Sequence, residues 1–182
     1  MKKTVFKSKK QAGMTLIELM VVLVIGVILV YFIYPIARGW FETANRANLT
    51  SARDSYMQCI NERLTSYSDT TGMNNDWAIS RGCISASRVV GANMIKNSIG
   101  GTTTLSAATL TVANDAISMS DTGISTTLCT TYAADKNDIY DSISINGTVV
   151  KALGGTLNDA TVTASCQQSA SNNTVTFIKK KN

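Results

Sequence analysis

The sequence predicts an α+β protein in which one long N-terminal helix packs its second half on an antiparallel β-sheet. Three observations carry this. Leu19 to Ala37 is an unbroken run of nineteen uncharged, mostly apolar residues, and apolar positions at helical spacing continue to Tyr67. Ser142 to Val150 alternates apolar and polar residues around Asn146-Gly147, the signal of a tight hairpin. Four cysteines, Cys59, Cys83, Cys129 and Cys166, all follow the apolar run. At 182 residues there is room for one domain besides the helix.

The first element is the apolar run itself. A helix needs about 20 such residues to cross a bilayer's hydrocarbon core. Ahead of it lie Lys2, Lys3, Lys7, Lys9 and Lys10 with no acid among them, which keeps that end cytoplasmic. A secretory signal would end in a small-residue cleavage site, whereas here Tyr34-Pro35-Ile36-Ala37-Arg38 is bulky and carries proline. A plain anchor explains the lysines and the hydrophobicity. It leaves Glu18 only as the partner of Thr15 in a Thr-x-x-Glu capping box. The net charge of +5 is likewise a topology signal. Residues 14 to 182 hold 12 Lys plus Arg against 12 Asp plus Glu, so nothing points to nucleic acid.

Past Arg38 the helix becomes amphipathic, with Leu49, Ala52, Tyr56, Cys59, Ile60, Arg63, Leu64 and Tyr67 on one face. Asn45, Asn48, Ser51, Arg53-Asp54, Gln58, Asn61-Glu62 and Ser66 fill the polar positions. From Met14 to Tyr67 this is 54 residues, roughly 80 Å of helix. Pro35 should kink it, and Gly26 is a second weak point. Membrane helices tolerate both residues. The alternative is that residues 26 to 35 melt when the helix enters an assembly.

Ser68 to Asp76 is a polar break that ends the helix. A short helix is expected over Ser85 to Lys96, strands within Gly100 to Thr131, and a compact helix over Thr126 to Lys136. In the hairpin, Ile143 should face Val150 and Ile145 should face Thr148. Thr161-Val162-Thr163 and Asn173 to Ile178 are further strand candidates, and Lys179-Lys180-Lys181 is expected to be a solvated tail. The cysteines lie beyond the span in an oxidising space, and four allow three pairings. There is no His and no Cys-x-x-Cys, so neither a metal site nor a catalytic thiol is expected.

Gly13-Met14-Thr15-Leu16-Ile17-Glu18, behind the lysine-rich leader, resembles the processing site of type IV prepilins. The resemblance implies cleavage between Gly13 and Met14 by a membrane-bound prepilin peptidase and N-methylation of Met14. It makes Glu18, beside Thr15, the assembly carboxylate that pairs with a neighbouring subunit's terminal amine. Met in place of Phe at the new terminus and a rather large C-terminal domain are similar to the type IVb subgroup, the bundle-forming and related major prepilins. The closing stretch from Cys166 to Phe177 is similar to a last strand in that subgroup. The expected disulfides are then Cys59–Cys83 and Cys129–Cys166, which do not interleave. The second is similar to the bond that closes the C-terminal region of pilins.

The implied organisation is a leader over residues 1–13, a membrane and filament-core helix over 14–38, and an exported domain over 39–182. The implied function is a pilus subunit. It is held in the inner membrane by lipid, with the leader cytoplasmic, and polymerised with identical subunits by the inner-membrane assembly machinery into a surface filament. A pseudopilin of a secretion system and a minor or tip pilin that binds a target share the same N-terminal logic. An enzyme is not expected, and neither is a cofactor. The acids are scattered, no nucleophile sits with a base, and Gly100-Gly101 and Gly154-Gly155 read as isolated turns. Three Asn-x-Thr triplets, at Asn48, Asn146 and Asn172, read as chance.

Overall fold

The computed structural model describes residues 15–181, and the chain divides into two compact units, Met1–Phe41 and Glu42–Asn182. Helix α1 (Leu16–Leu64, 49 residues) begins in the first unit and ends in the second. It is continuous through Gly26 and Pro35. Its last turn is at Leu64, so the break comes earlier than the polar cluster at Ser68, and residues 65–73 form turns and bends before Asn74 bridges to Ser106.

In the second unit α1 buries Leu49, Thr50, Arg53, Tyr56, Met57, Ile60 and Leu64. The intervals among Leu49, Arg53, Tyr56, Ile60 and Leu64 are three or four residues, which keeps them on one helix face. That face joins the core built with the sheet, where Ile95, Leu105, Ile117, Met119, Ile143, Val175 and Phe177 are buried.

Among the described residues the sheet has seven strands, all adjacent pairs antiparallel, in the order β1-β2-β3-β4-β7-β5-β6. They are β1 (Val89–Val90), β2 (Met94–Lys96), β3 (Thr102–Ala108), β4 (Ala116–Ile124), β5 (Ser142–Ile145), β6 (Thr148–Lys151) and β7 (Asn173–Lys180). Burial alternates along β5 and β7, so one face meets the core. The last strand lies inside the sheet, between β4 and β5.

Several local expectations are corrected. Residues 85–96 are not a helix. The helix lies earlier, as α2 (Asn75–Ser80), because the side chain of Asn74 accepts a hydrogen bond from the Trp77 N–H at 2.9 Å and caps it. A 3-10 turn at Ala86–Arg88 then leads into β1 and β2, which pair across a turn holding Gly91 at φ +67°. Residues 161–163 are not a strand either. They lie in α4 (Asp159–Cys166), where Asn158 caps the Thr161 N–H at 3.0 Å. A local cap therefore outweighs the β-branched run Thr-Val-Thr. The helix α3 (Thr126–Ala134) begins at a Ser125 cap.

The hairpin turn has Asn146 at φ +51° and Gly147 at φ +84°, both left-handed as its type requires. Ile145 faces Thr148, but Ile143 faces Lys151 rather than Val150. A bulge between Ile143 and Ser144 shifts the register and turns both Val150 and Lys151 inward. The buried Lys151 ammonium is satisfied, donating to the carbonyls of Asn137 at 2.5 Å and Tyr140 at 2.7 Å.

The lysine tail is also corrected. Lys179 and Lys180 belong to β7, opposite Ile117 and Ala116, and Lys181 donates through its ammonium to the Tyr67 carbonyl. Gly101 is more than a turn residue. A Cβ there would lie 1.9 Å from the Thr122 carbonyl oxygen, so only glycine lets this segment approach β4. Gly101→Ala should therefore push β3 off β4, and residues 102–108 should lose hydrogen-exchange protection relative to residues 142–151.

Candidate functional site

The candidate functional segment is the part of α1 in the first unit. At its start Thr15 and Glu18 form a reciprocal cap. The Thr15 N–H and hydroxyl donate to Glu18 Oε2 at 2.8 and 2.9 Å, and the Glu18 N–H donates to the Thr15 hydroxyl at 3.3 Å. This satisfies backbone donors that the first turn otherwise leaves open. The large apolar residues from Leu16 to Ile36 are 49–77 % exposed. This exceeds the apolar patch a soluble monomer normally shows. By length and composition the helix is sufficient to cross a membrane. A Cβ at Gly26 would meet nothing within 4 Å, and Pro35 lies inside the helix. Gly13 and Met14 lie outside the described residues.

The domain that this helix carries is closed by two disulfides. Cys59 of α1 is joined to Cys83 after α2, with Cα atoms 5.5 Å apart. Cys129 of α3 is joined to Cys166 at the end of α4, with Cα atoms 5.8 Å apart. The loops they close, of 24 and 37 residues in sequence separation, correspond to about 3–4 kcal/mol each on the loop-entropy account. Replacing both Cys129 and Cys166 by Ser should lower the steady-state amount of the protein on immunoblots and its resistance to protease. Unchanged abundance and unchanged protease resistance would count against this.

One residue on the polar list belongs instead to the core. Arg53 is fully buried. Its guanidinium lies 5.1, 4.8 and 4.4 Å from the ring centroids of Tyr132, Tyr140 and Phe177. It donates to Asp54 at 3.2 Å and to the Asp135 carbonyl at 3.1 Å. Tyr132 in turn donates at 2.6 Å to Asp121, which also accepts from Thr103 at 2.5 Å. Burial pushes the Asp121 carboxyl above its usual range, against those two hydrogen bonds and the Arg53 charge. Burial also acts to raise Asp54, but bonds from Lys136, Tyr140 and Arg53, with the Arg53 charge, hold it below the usual range. The network joins α1 to β3, β4, α3 and β7. The signal for it is spacing: Arg53 sits four residues after Leu49 and three before Tyr56.

Among the described residues no three His, Cys, Asp or Glu side chains gather as a metal site. What the geometry offers is a capped helix with an exposed apolar surface over Leu16–Ile36 in the first unit, and a disulfide-closed domain in the second.

Comparison with known proteins agrees with that description. Residues 8–33 match the prokaryotic N-terminal methylation motif, and residues 42–180 match the family described as PilS N terminal. In fold, the chain is similar to TcpA, a type IV pilin from the Vibrio cholerae El Tor biotype. That match has a TM-score of 0.55 at 16 % identity and covers 75 % of this chain and 99 % of the other. It is similar also to the type IVb pilin of Salmonella typhi, with a TM-score of 0.54 at 16 % identity, covering 77 % and 99 %. Comparison with curated proteins finds no match. Long helix, antiparallel sheet and C-terminal disulfide together make the type IVb pilin fold. The chain belongs to the PilS N-terminal family.

Proposed function

We propose that this pilin is the structural subunit of a type IV pilus. It is inserted in the inner membrane through residues 14–38 with the leader, residues 1–13, in the cytoplasm. Prepilin peptidase cuts after Gly13, Met14 is N-methylated, and identical subunits then polymerise through α1 into a surface filament. The observation that carries this reading is the sheath of exposed Leu, Ile and Val on Leu16–Ile36. Such a surface needs lipid or other copies of itself. Each such side chain contributes about 1.5–3 kcal/mol when fully withdrawn from water. One helix can therefore be stored in a bilayer and later buried in a filament.

Glu18 fits the same scheme as the carboxylate that meets the Met14 amine of a neighbour. Gly26 and Pro35 mark where the helix would loosen during assembly. The five lysines of the leader set its orientation. The closed domain, residues 39–182, then faces the exterior.

The test is electron microscopy of cells making and lacking the protein. Loss of filaments with the subunit identifies the major component; normal filaments without it would overturn the proposal in favour of a minor pilin or a pseudopilin. Processing is tested separately. Gly13→Val should keep its leader, because the peptidase site requires a residue without a side chain before the cut. Intact mass from membranes should therefore exceed the wild-type mass by about the leader's thirteen residues. Cleavage of the variant, or an uncut wild type, would sink the processing assignment.

A further inference from the structure

Along the described helix of the first unit, Leu16 to Phe41, the aromatic residues are confined to one end. Between Leu16 and Val30 there is none, and then Tyr31, Phe32, Tyr34, Trp40 and Phe41 follow within eleven residues. All five are exposed, from 63 % at Tyr34 to 77 % at Tyr31, with Trp40 at 75 % and Phe41 at 70 %. On a helix they project at about 0°, 100°, 300°, 180° and 280° around the axis, so they encircle it. A partner docking on one face would use one side of such a ring. A bilayer surrounds the helix on every side, and this band runs from about 9 Å inside the end of the apolar run at Ala37 to about 6 Å beyond it.

The axial distances agree. Leu19 to Ala37 spans about 28 Å at 1.5 Å per residue, close to the roughly 30 Å hydrocarbon core. Trp40 then lies about 4.5 Å beyond that core, in the headgroup layer. Trp and Tyr suit that layer because each has an apolar body and a polar hydrogen-bonding edge. Packing of helix against helix offers no reason to restrict aromatics to one end.

We propose that the aromatics of residues 31–41 form an anchor in the stored subunit, with Tyr31, Phe32 and Tyr34 in the outer part of the hydrocarbon core and Trp40 and Phe41 seated among the lipid headgroups on the side of the exported domain. The proposal rests on the membrane-storage reading above. The anchor fixes the depth of the helix, and lipid must be stripped from this ring whenever the subunit leaves the bilayer.

The chain has two tryptophans, so Trp77→Phe leaves Trp40 as the sole reporter. The full-length variant is reconstituted in phosphatidylcholine–phosphatidylglycerol vesicles whose acyl chains carry bromine near the headgroup or near the bilayer centre. Flotation is measured first, then quenching. The expected result is co-flotation, with Trp40 quenched several-fold more by the shallow bromine than by the deep one. Should Trp77→Phe fold poorly, the difference between wild type and Trp40→Phe supplies the same quantity. Co-flotation with an unquenched Trp40, or with stronger deep quenching, overturns the anchor and leaves the membrane span standing. Failure to float overturns both.

Discussion

Glu18→Ala should abolish surface filaments while processed subunit accumulates in the membrane. In the single subunit Glu18 serves the Thr15 cap, and losing that costs about 1 kcal/mol. Insertion and cleavage after Gly13 should therefore survive. In the proposed filament, the same carboxylate is enclosed by apolar helices and opposed to the Met14 amine of another copy. Removing it leaves a buried amine without a counter-charge, a loss of roughly 3–5 kcal/mol by analogy with other broken buried pairs. The penalty recurs at every subunit added, so polymerisation should fail even though the monomer is sound. Glu18→Gln should behave almost as badly, since an amide accepts a hydrogen bond but carries no charge. Sheared filaments and processed membrane subunit are quantified for wild type and both variants. Normal filament yield from either would reduce Glu18 to a helix cap.

Arg53→Ala should be the most damaging single change in the domain. It empties a site walled by Tyr132, Tyr140 and Phe177 and removes the cation facing Asp54 and Asp121. The expected loss is about 3–5 kcal/mol of unfolding free energy, read from urea titration of the full chain in detergent micelles with disulfides intact. Arg53→Lys should recover little. An ammonium cannot stack flat against three rings while also bonding to the Asp54 carboxylate and the Asp135 carbonyl. Combining Arg53→Met with Asp121→Asn should lose less than Arg53→Ala alone, because the stem is still packed and no isolated charge remains. Equal losses for Arg53→Ala and this double variant would show that neither stem packing nor charge balance carries the site, and that the guanidinium's own ring contacts and hydrogen bonds do.

The buried position of Arg53 also separates what spacing conveys from what residue type conveys. By type it belonged with Asp54 on the polar face. By interval it falls between Leu49 and Tyr56 on the buried stripe, and the interval decided. Its burial is tolerable only because rings from α3, from the segment before β5 and from β7 converge on it. Those partners are 79 or more residues away in the chain, beyond the reach of any local pattern.

Much else was legible locally. The apolar run, the Thr15–Glu18 cap, the Asn146-Gly147 turn and the helix at Thr126–Ala134 each depend on neighbours within a few residues. Their physics is written in a short window. Errors arose where two local signals competed: β-branching against an Asn158 cap at residues 159–166, and an apolar run against a Gly91 turn at residues 89–96. Others arose where a distant group intervened. The bulge that turns Lys151 inward places its ammonium on the carbonyls of Asn137 and Tyr140. Gly101 is required by the Thr122 carbonyl of another strand.

By itself, then, the sequence determined the membrane-length helix, the N-terminal methylation motif and the α+β class, because hydrophobic length and short motifs are local properties. Only the tertiary structure decided that the last strand is inserted between β4 and β5, that Lys179 and Lys180 are part of the sheet, and that the rings of Tyr132, Tyr140 and Phe177 converge on Arg53. Each depends on hydrogen bonding or desolvation between segments far apart in the chain, and the energy of such contacts exists only once those segments meet.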